Sequence, residues 1–371
     1  MSVYEICQVY SHKLVKKLLN IKLLLFVMPL IEFTPQGMYV PQADVYIDPW
    51  RGVEKAIITH GHSDHARWGC NHYLTHHQNI PIIQRRLGNI NTQGVAYNES
   101  IYINGVEFSF HPAGHVLGSS QIRVAYNGEV WVASGDYKLQ ADGVATPFEP
   151  VVCHTFITES TFGLPIYSWK PQDQVMQEIN DWWLQNKDLG LCSVIFAYSL
   201  GKAQRILCNL DHSIGEVFVH GAVASMNEAH TDAGVQLPKY TVVSPTTDKL
   251  KYKGALIIAP SSADNTPWMK KFEPYVTASA SGWMALRGAR RRMSVDKGFV
   301  LSDHADWYGL NEAVVATNAQ HVIATHGYTR TFAQWLATKG IESSIAETRF
   351  VGESIDKQNN DTVDPSSPEV E

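Results

Sequence analysis

The segment His60-Gly61-His62-Ser63-Asp64-His65 places three imidazoles and a carboxylate within one turn of chain. It directly follows Ala56-Ile57-Ile58-Thr59, an apolar stretch that reads as a buried strand. His60 and His62 alternate, so in an extended loop both can point at one metal ion. Asp64 and His65 come after the bend and can reach a second. Neutral imidazole together with carboxylate suits zinc and other borderline divalent ions. A lone histidine at a strand exit is more often packed or exposed than a ligand, but packing has no need of four ionisable groups there.

The elements that must position this cluster follow from the apolar runs. Val45-Tyr46-Ile47 ends in Asp48, Glu129 to Gly135 ends in Asp136, and Thr155 to Thr158 ends in Glu159. Phe299 to Asp303 leads to His304, and His321 to Thr325 leads to His326. Continuous apolar runs of this length predict strands covered on both faces, as in layered α/β architectures. Ligands gathered from several strand ends rest on a rigid base. Helical patterns occupy Gln172 to Asn186, Gly201 to Asp211 and Leu310 to Asn318. From about 165 to 295 metal-type residues thin out while strand and helix patterns continue. That stretch reads as a domain inserted between two parts of the first, because ligand-bearing strands flank it.

A length of 371 residues is comfortable for two domains, and 44% hydrophobic with 18% charged residues is globular. Cys7, Cys70, Cys153, Cys192 and Cys208 form no C-x-x-C pair, which fits reduced thiols in a cytoplasmic protein. The net charge of −6 argues against a non-specific polyanion binder, but an acidic body can carry a local basic stripe. Lys13, Lys16, Lys17 and Lys22 precede the apolar run Leu23 to Ile31, which is too short to span a bilayer and has no cleavage site after it. Residues 1–27 therefore read as an upstream extension, with translation starting at Met28. Residues 353–371, acidic and rich in Asn, Ser and Pro, read as disordered.

Further along come His115 in Pro112-Ala113-Gly114-His115-Val116-Leu117-Gly118-Ser119, Asp136 in Ser134-Gly135-Asp136-Tyr137 and His326 in Thr325-His326-Gly327. With Tyr46 to Arg51, Thr158-Glu159-Ser160-Thr161-Phe162-Gly163, Tyr198-Ser199-Leu200-Gly201-Lys202 and Leu301-Ser302-Asp303-His304-Ala305-Asp306, their order makes a pattern. The chain resembles metallo-β-lactamase-fold nucleases of the β-CASP group over roughly residues 28–352. Within that group it looks most like the bacterial ligase-associated DNA exonucleases, sometimes labelled mRNA 3′-end processing factors.

The resemblance implies an αββα sandwich built from residues 28–165 and 296–352, with a β-CASP α/β domain inserted at 166–295. It implies two zinc ions, with manganese an alternative. One would be held by His60, His62 and His115 with Asp136 bridging, the other by Asp64, His65, Asp136 and His326. Two ions, typically ~3.5–4 Å apart, suit phosphodiester hydrolysis because they activate water and offset charge on phosphoryl oxygens. Asp64 belongs with the catalytic group for that reason. Glu159 matches the family's acidic motif A and His304 its motif B histidine, placed to protonate the leaving oxygen while Glu159 orients it. Asp48 matches the first fold motif and stands behind the ligands. Relatives specialised in animal DNA crosslink repair tend to carry valine where His326 stands, and RNA-processing members carry histidine. That position leans toward RNA, whereas the overall pattern leans toward a DNA exonuclease in end processing. The family also implies association with an ATP-dependent DNA ligase and a helicase.

Ser199-Leu200-Gly201-Lys202, at a strand-to-helix junction, could offer backbone N–H groups and a lysine to a phosphate. Arg287, Arg290, Arg291, Arg292 and Lys297 form a basic run just upstream of His304, expected to track a nucleic-acid backbone rather than read bases. Trp268, Trp283 and Trp307 could stack bases, though core packing suits at least two of them. His72, His76, His77, His111, His154, His212, His220 and His230 read as structural or exposed. Thioester, lactone and β-lactam hydrolases share such a metal cluster, yet small-molecule hydrolysis needs neither the inserted domain nor the Glu159–His304 pair nor the arginines. A pseudo-nuclease that only binds nucleic acid would be expected to have lost ligands, and every position is filled.

Overall fold

The structure, a computed structural model, describes residues 29–350, without the side chains of residues 289 and 290. The proposed extension at 1–27, the start at Met28 and the tail at 353–371 lie outside the described residues.

Two sheets face each other across an apolar layer. The first comprises β1 (Glu32–Thr34), β2 (Gly37–Val40), β3 (Val45–Ile47), β4 (Lys55–Ile57), β5 (His72–His76) and β6 (Thr92–Val95), in that spatial order. The second contains β7 (Ser100–Ile103), β8 (Val106–Pro112), β9 (Ser120–Tyr126), β10 (Glu129–Ala133) and β11 (Thr155–Ser160), and later β18 (His321–Gly327) and β19 (Glu342–Ile345). Asn104-Gly105 and Asn127-Gly128 have positive φ at both residues and close two-residue hairpins at the β7–β8 and β9–β10 joints. Met38, Val45 and Ile57 of the first sheet bury against Phe108, Phe110, Ile122 and Ile157 of the second.

Helix α1 (Ile80–Leu87) covers the outer face of the first sheet through Ile83, packed with Ala56, Ile58 and Tyr73. The outer face of the second sheet is covered by α6 (Trp307–Thr317) and α7 (Thr329–Thr338), through Leu310, Val314, Phe332 and Leu336 on Val132, Phe156 and Val322. The layers thus run helix, sheet, sheet, helices, and the chain adopts the α/β class expected of it.

The chain leaves the second sheet after β11 and re-enters it at β18, which lies directly beside β11 in parallel register. Between them the chain builds a third, all-parallel sheet: β12 (Cys192–Phe196), β13 (Val217–Val219), β14 (Thr241–Val242), β15 (Leu256–Ala259), β16 (Tyr275–Ala280) and β17 (Lys297–Phe299), ordered 14-13-15-12-16-17. Helix α2 (Gln172–Asp188) buries Val175, Ile179 and Trp183 against it, beside α3 (Lys202–Asn209). Helices α4 (Gly221–Asp232) and α5 (Arg287–Met293) complete the set. The expected strand from Phe299 to Asp303 is displaced. β17 ends at Phe299, and Leu301 N–H bonds back to Phe299 O, which bends the chain before Asp303. Among the described residues no helix is long and apolar enough to cross a membrane.

At the end of β10, Gly135 has φ +57°, and a Cβ there would lie 2.8 Å from the Thr59 side chain. Gly135→Ala therefore combines backbone strain with a collision and should cost about 1–3 kcal/mol, read as a lower denaturant midpoint at unchanged slope.

Candidate metal and proton-transfer centre

The ends of β4, β10, β11 and β18 open on one edge of the sandwich, and each delivers a functional residue. Past β4, Asp48 fixes the chain direction: its Oδ1 accepts from Thr59 N–H at 2.8 Å and its Oδ2 from Thr59 Oγ1 at 2.5 Å. Having spent its proton on the carboxylate, Thr59 Oγ1 can only accept, so the His60 Nδ1 contact at 3.1 Å puts the proton on Nδ1. His60 Nε2 then carries the lone pair. His65 Nδ1 donates to Asp48 Oδ2 at 2.7 Å, again turning Nε2 inward. The same device recurs at His326, whose Nδ1 lies 3.2 Å from Thr325 Oγ1 while that hydroxyl donates to Thr158 O at 3.0 Å. Arg86 of α1 ties the loop back through Gly61 O at 2.6 Å.

The two remaining rings are oriented by backbone carbonyls. His62 Nε2–H donates to Leu200 O at 3.3 Å, and His115 Nδ1–H to Asp303 O at 2.8 Å. Their other nitrogens, His62 Nδ1 and His115 Nε2, face each other at 3.0 Å. Burial holds the His115 pKa well below its ordinary value, and likewise that of His60. A neutral His115 with its proton on Nδ1 turns a lone pair toward His62, so a proton or a cation must stand between the two rings.

Asp136 lies among all of these groups. Its Oδ2 is 3.5 Å from His60 Nε2, 3.6 Å from His65 Nε2 and 3.8 Å from His115 Nε2, and its Oδ1 is 3.0 Å from His326 Nε2. Burial would raise its pKa, but His65, His304 and His326 outweigh that and hold it well below the carboxylate range. His65 is moved the other way: burial opposes its charge, yet Asp136, Asp64 and Asp48 raise its pKa to about 9.

The donor set fits a cation. His60 Nε2, His65 Nε2, His326 Nε2 and Asp136 Oδ1 are buried, and none has a hydrogen bond of proper geometry, which is costly unless an ion satisfies them. His60, His62, His115 and Asp136 offer ligand atoms all within 4.8 Å of one another. The other expected set is looser. His65 and His326 meet at Asp136, and Asp64 joins through Oδ2, 3.9 Å from His65 Nε2.

Beside these histidines and Asp136 lies a second pair. His304 Nδ1 is 2.8 Å from Glu159 Oε2, and Glu159 Oε1 accepts from Tyr137 N–H at 2.8 Å. The carboxylate is fully buried, and the His304 ring stands 4.7 Å from that of His115. Asp136, Glu159 and His304 also offer ligand atoms within 4.8 Å of one another.

Of the residues expected to meet substrate, Ser199 and Lys202 are buried, and Lys202 Nζ pairs with Asp303 Oδ2 at 3.6 Å. Arg287, Arg291 and Arg292 are exposed on α5; the side chain of Arg290 lies outside the described residues. Trp307 belongs to the core under α6, and Trp283 packs against Phe162 and Tyr167. Of the histidines read as structural or exposed, His76 stacks on Tyr97, and His230 bonds Met226 O within its own helix.

Several contributors were not singled out from the sequence. Thr59 and Thr325 set tautomers, and Phe350 stacks flat on His65 at 4.3 Å and 3°. Arg205 donates to Ser302 O at 2.5 Å and to Asp303 Oδ1 at 3.3 Å. Lys138, 1% exposed, has no hydrogen-bond partner for Nζ. A threonine or lysine in such a place carries no sequence signal; only tertiary contact gives it a role.

No family model matches the chain. It is 30% identical over 313 residues to a probable DNA ligase of Opitutus terrae, covering 83% of this chain and 30% of that protein. An RNase J-like protein of Methanocaldococcus jannaschii is 25% identical over 194 residues, covering 44% of this chain and 45% of its own length. The endoribonuclease YSH1 of Yarrowia lipolytica is 29% identical over 119 residues, 32% of this chain and 14% of that protein. The chain thus spans less than half the length of these curated relatives. A solved structure, a protein of unknown function from Enterococcus faecalis, shares the fold with a TM-score of 0.57 at 13% identity, covering 80% of each chain. The similarities to YSH1-type and RNase J-like proteins support, at moderate identity, the resemblance to the metallo-β-lactamase-fold β-CASP family.

Burial, opposed by Asp142 and Asp303 but aided by Arg205 and Lys202, lowers the Lys138 pKa from 10.5 to about 7. Between those two values the unfolded chain binds the extra proton, so this group makes stability rise with pH across that window. Lys138→Met should remove that rise. Denaturant titrations of both proteins at pH 7 and pH 10 should show wild type gaining on the variant as pH increases.

Proposed function

We propose that this chain is a two-metal phosphodiesterase that hydrolyses nucleic acid. The observation that carries the reading is the convergence of three buried, unsatisfied imidazole nitrogens, of His60, His65 and His326, on Asp136, next to the hydrogen-bonded Glu159–His304 pair. Nuclease relatives support nucleic-acid hydrolysis, and the histidine–aspartate clusters support metal dependence.

His60, His62, His115 and Asp136 would hold one ion, and Asp64, His65, Asp136 and His326 the other, with zinc favoured by the imidazole-rich set and manganese the alternative. When bound, such a pair lowers the pKa of water and offsets negative charge that develops on the phosphoryl oxygens. Asp136, its carboxylate kept ionised by its histidine neighbours, would serve both positions. Glu159 Oε2 accepts a hydrogen bond from His304 Nδ1–H, which fixes the tautomer and stabilises the imidazolium; His304 Nε2 would then deliver a proton to the departing oxygen. Asp48 and Thr59 act behind the ligands by holding their rings.

The all-parallel third sheet, read as an inserted domain, gives the reaction a long binding face, and the exposed arginines of α5 would follow the phosphate backbone. Lys202, buried against Asp303, serves the loop before His304 rather than a phosphate. Similarity to a probable DNA ligase over 83% of the chain favours DNA end processing beside a ligase. The similarities to YSH1-type and RNase J-like proteins, together with His326 of this chain, favour RNA as the second reading. Purified protein with zinc or manganese, offered end-labelled single- and double-stranded DNA and RNA, decides between them. Cleavage of none of the four would overturn the proposal.

Two variants test the assigned roles. His304→Ala should retain the metal content of wild type by elemental analysis while turnover falls roughly 10²–10⁴-fold; loss of metal instead would make His304 a ligand. Replacing Arg287, Arg291 and Arg292 with alanine should weaken oligonucleotide binding and flatten its salt dependence by about one unit of log–log slope for each phosphate that is no longer neutralised. An unchanged slope in fluorescence anisotropy would remove α5 from the binding face.

A further inference from the structure

The rings around Asp136 are not all anchored in the same body. His60, His65 and His326 take their outer hydrogen bonds from Thr59, Asp48 and Thr325, all within the two-sheet sandwich. His62 and His115 do not. Leu200 O, which holds His62, lies between β12 and α3, and Asp303 O, which holds His115, lies in the loop after β17. Both carbonyls belong to the carboxyl-terminal edge of the third sheet. Half of the four-residue set His60, His62, His115 and Asp136 is therefore aimed by a separate sheet.

Two side chains of α3 tie the Leu200 segment to the Asp303 loop: Lys202, whose Nζ lies 3.6 Å from Asp303 Oδ2, and Arg205, which makes the hydrogen bonds. Arg205 of α3, 2% exposed, donates from one guanidinium nitrogen to Ser302 O at 2.5 Å and Asp303 Oδ1 at 3.3 Å. Its Nε donates to Gln172 Oε1 at 2.5 Å, and Gln172 reaches on to Asp142 O at 3.1 Å. Because α3 begins two residues after Leu200, any shift of this helix moves Leu200 O and the Asp303 loop together.

We infer that Arg205 is a positioning residue that couples the seating of the third sheet to metal affinity at His60, His62, His115 and Asp136, leaving the set around His65 and His326 independent of it. The inference rests on the metal reading proposed above. Groups that orient ligands from behind typically govern affinity by 10–100-fold. Linkage is reciprocal, so metal bound at this set must also tighten the seat of the third sheet.

The test is zinc affinity, measured by chelator competition on the full chain. Wild type should show two classes of zinc. Arg205→Met, which keeps the aliphatic stem and leaves Asp303 paired with Lys202, should weaken one class about tenfold, and Arg205→Lys, with one donor restored, should recover part of the loss. Thr325→Val, which releases His326 Nδ1, should weaken the other class. In hydrogen exchange, zinc should slow amides at 200–205 and 302–304 in wild type, and less so in Arg205→Met. If Arg205→Met does not fold, Gln172→Glu, which keeps the Nε acceptor but loses the bonds to Asp142 O and Asn209, should leave that class unchanged, while Gln172→Ala, which also removes the Nε acceptor, should weaken it by a smaller factor. Wild type that binds no zinc contradicts the metal reading itself. Two classes in wild type that stay unchanged in folded Arg205→Met, or one and the same class weakened by both Arg205→Met and Thr325→Val, overturn the coupling.

Discussion

A single buried carboxylate, that of Asp136, sits among imidazole nitrogens, of which those of His60, His65 and His326 have no hydrogen bond of proper geometry. Four histidines approach it between 3.0 and 3.8 Å, from strand ends of both sheets and from the loop at His115. Placing these groups together without water would be destabilising unless charge and lone pairs are matched. Asp136 provides part of the match, and the facing nitrogens of His62 and His115 require the remainder. The sandwich and its third sheet can be understood as the frame that holds this arrangement.

That frame works through hydrogen bonds on the far side of each ring. Asp48, Thr59 and Thr325 decide which nitrogen of His65, His60 and His326 carries the proton, and so which one faces Asp136. The left-handed turn at Gly135 allows the chain to pass Thr59 closely enough for Asp136 to enter the cluster. Glu159 reaches the same edge because β11 runs parallel to β18 and ends level with His326. A chain that leaves the second sheet after Glu159 and returns one strand away can add an entire sheet without disturbing these positions.

Much of this was legible in the sequence, for identifiable reasons. The residues that converge stand at the ends of apolar runs, and such runs are recognisable because a doubly covered strand tolerates few polar residues. Helix α2 could be read from its stripe of Val175, Ile179 and Trp183. Between Phe299 and His304 the sequence misleads, because Val300 and Leu301 continue an apolar run while the backbone has already turned toward Asp303. The burial of Lys202 was hidden for a related reason: the tetrapeptide Ser199 to Lys202 resembles a phosphate loop, while the lysine lies buried beside Asp303, a carboxylate distant in sequence. Contacts of Arg205, Thr325 and Phe350 span long stretches of chain and leave no local pattern.

The central claim is that Asp136 stands between two metal ions. Anomalous diffraction at the zinc edge, on crystals of the full chain grown with zinc, addresses it most directly. The account predicts two peaks flanking the Asp136 carboxylate, one beside His60, His62 and His115 and the other beside His65 and His326. No peak within coordination distance of Asp136, with the histidines ordered around it, would contradict the account.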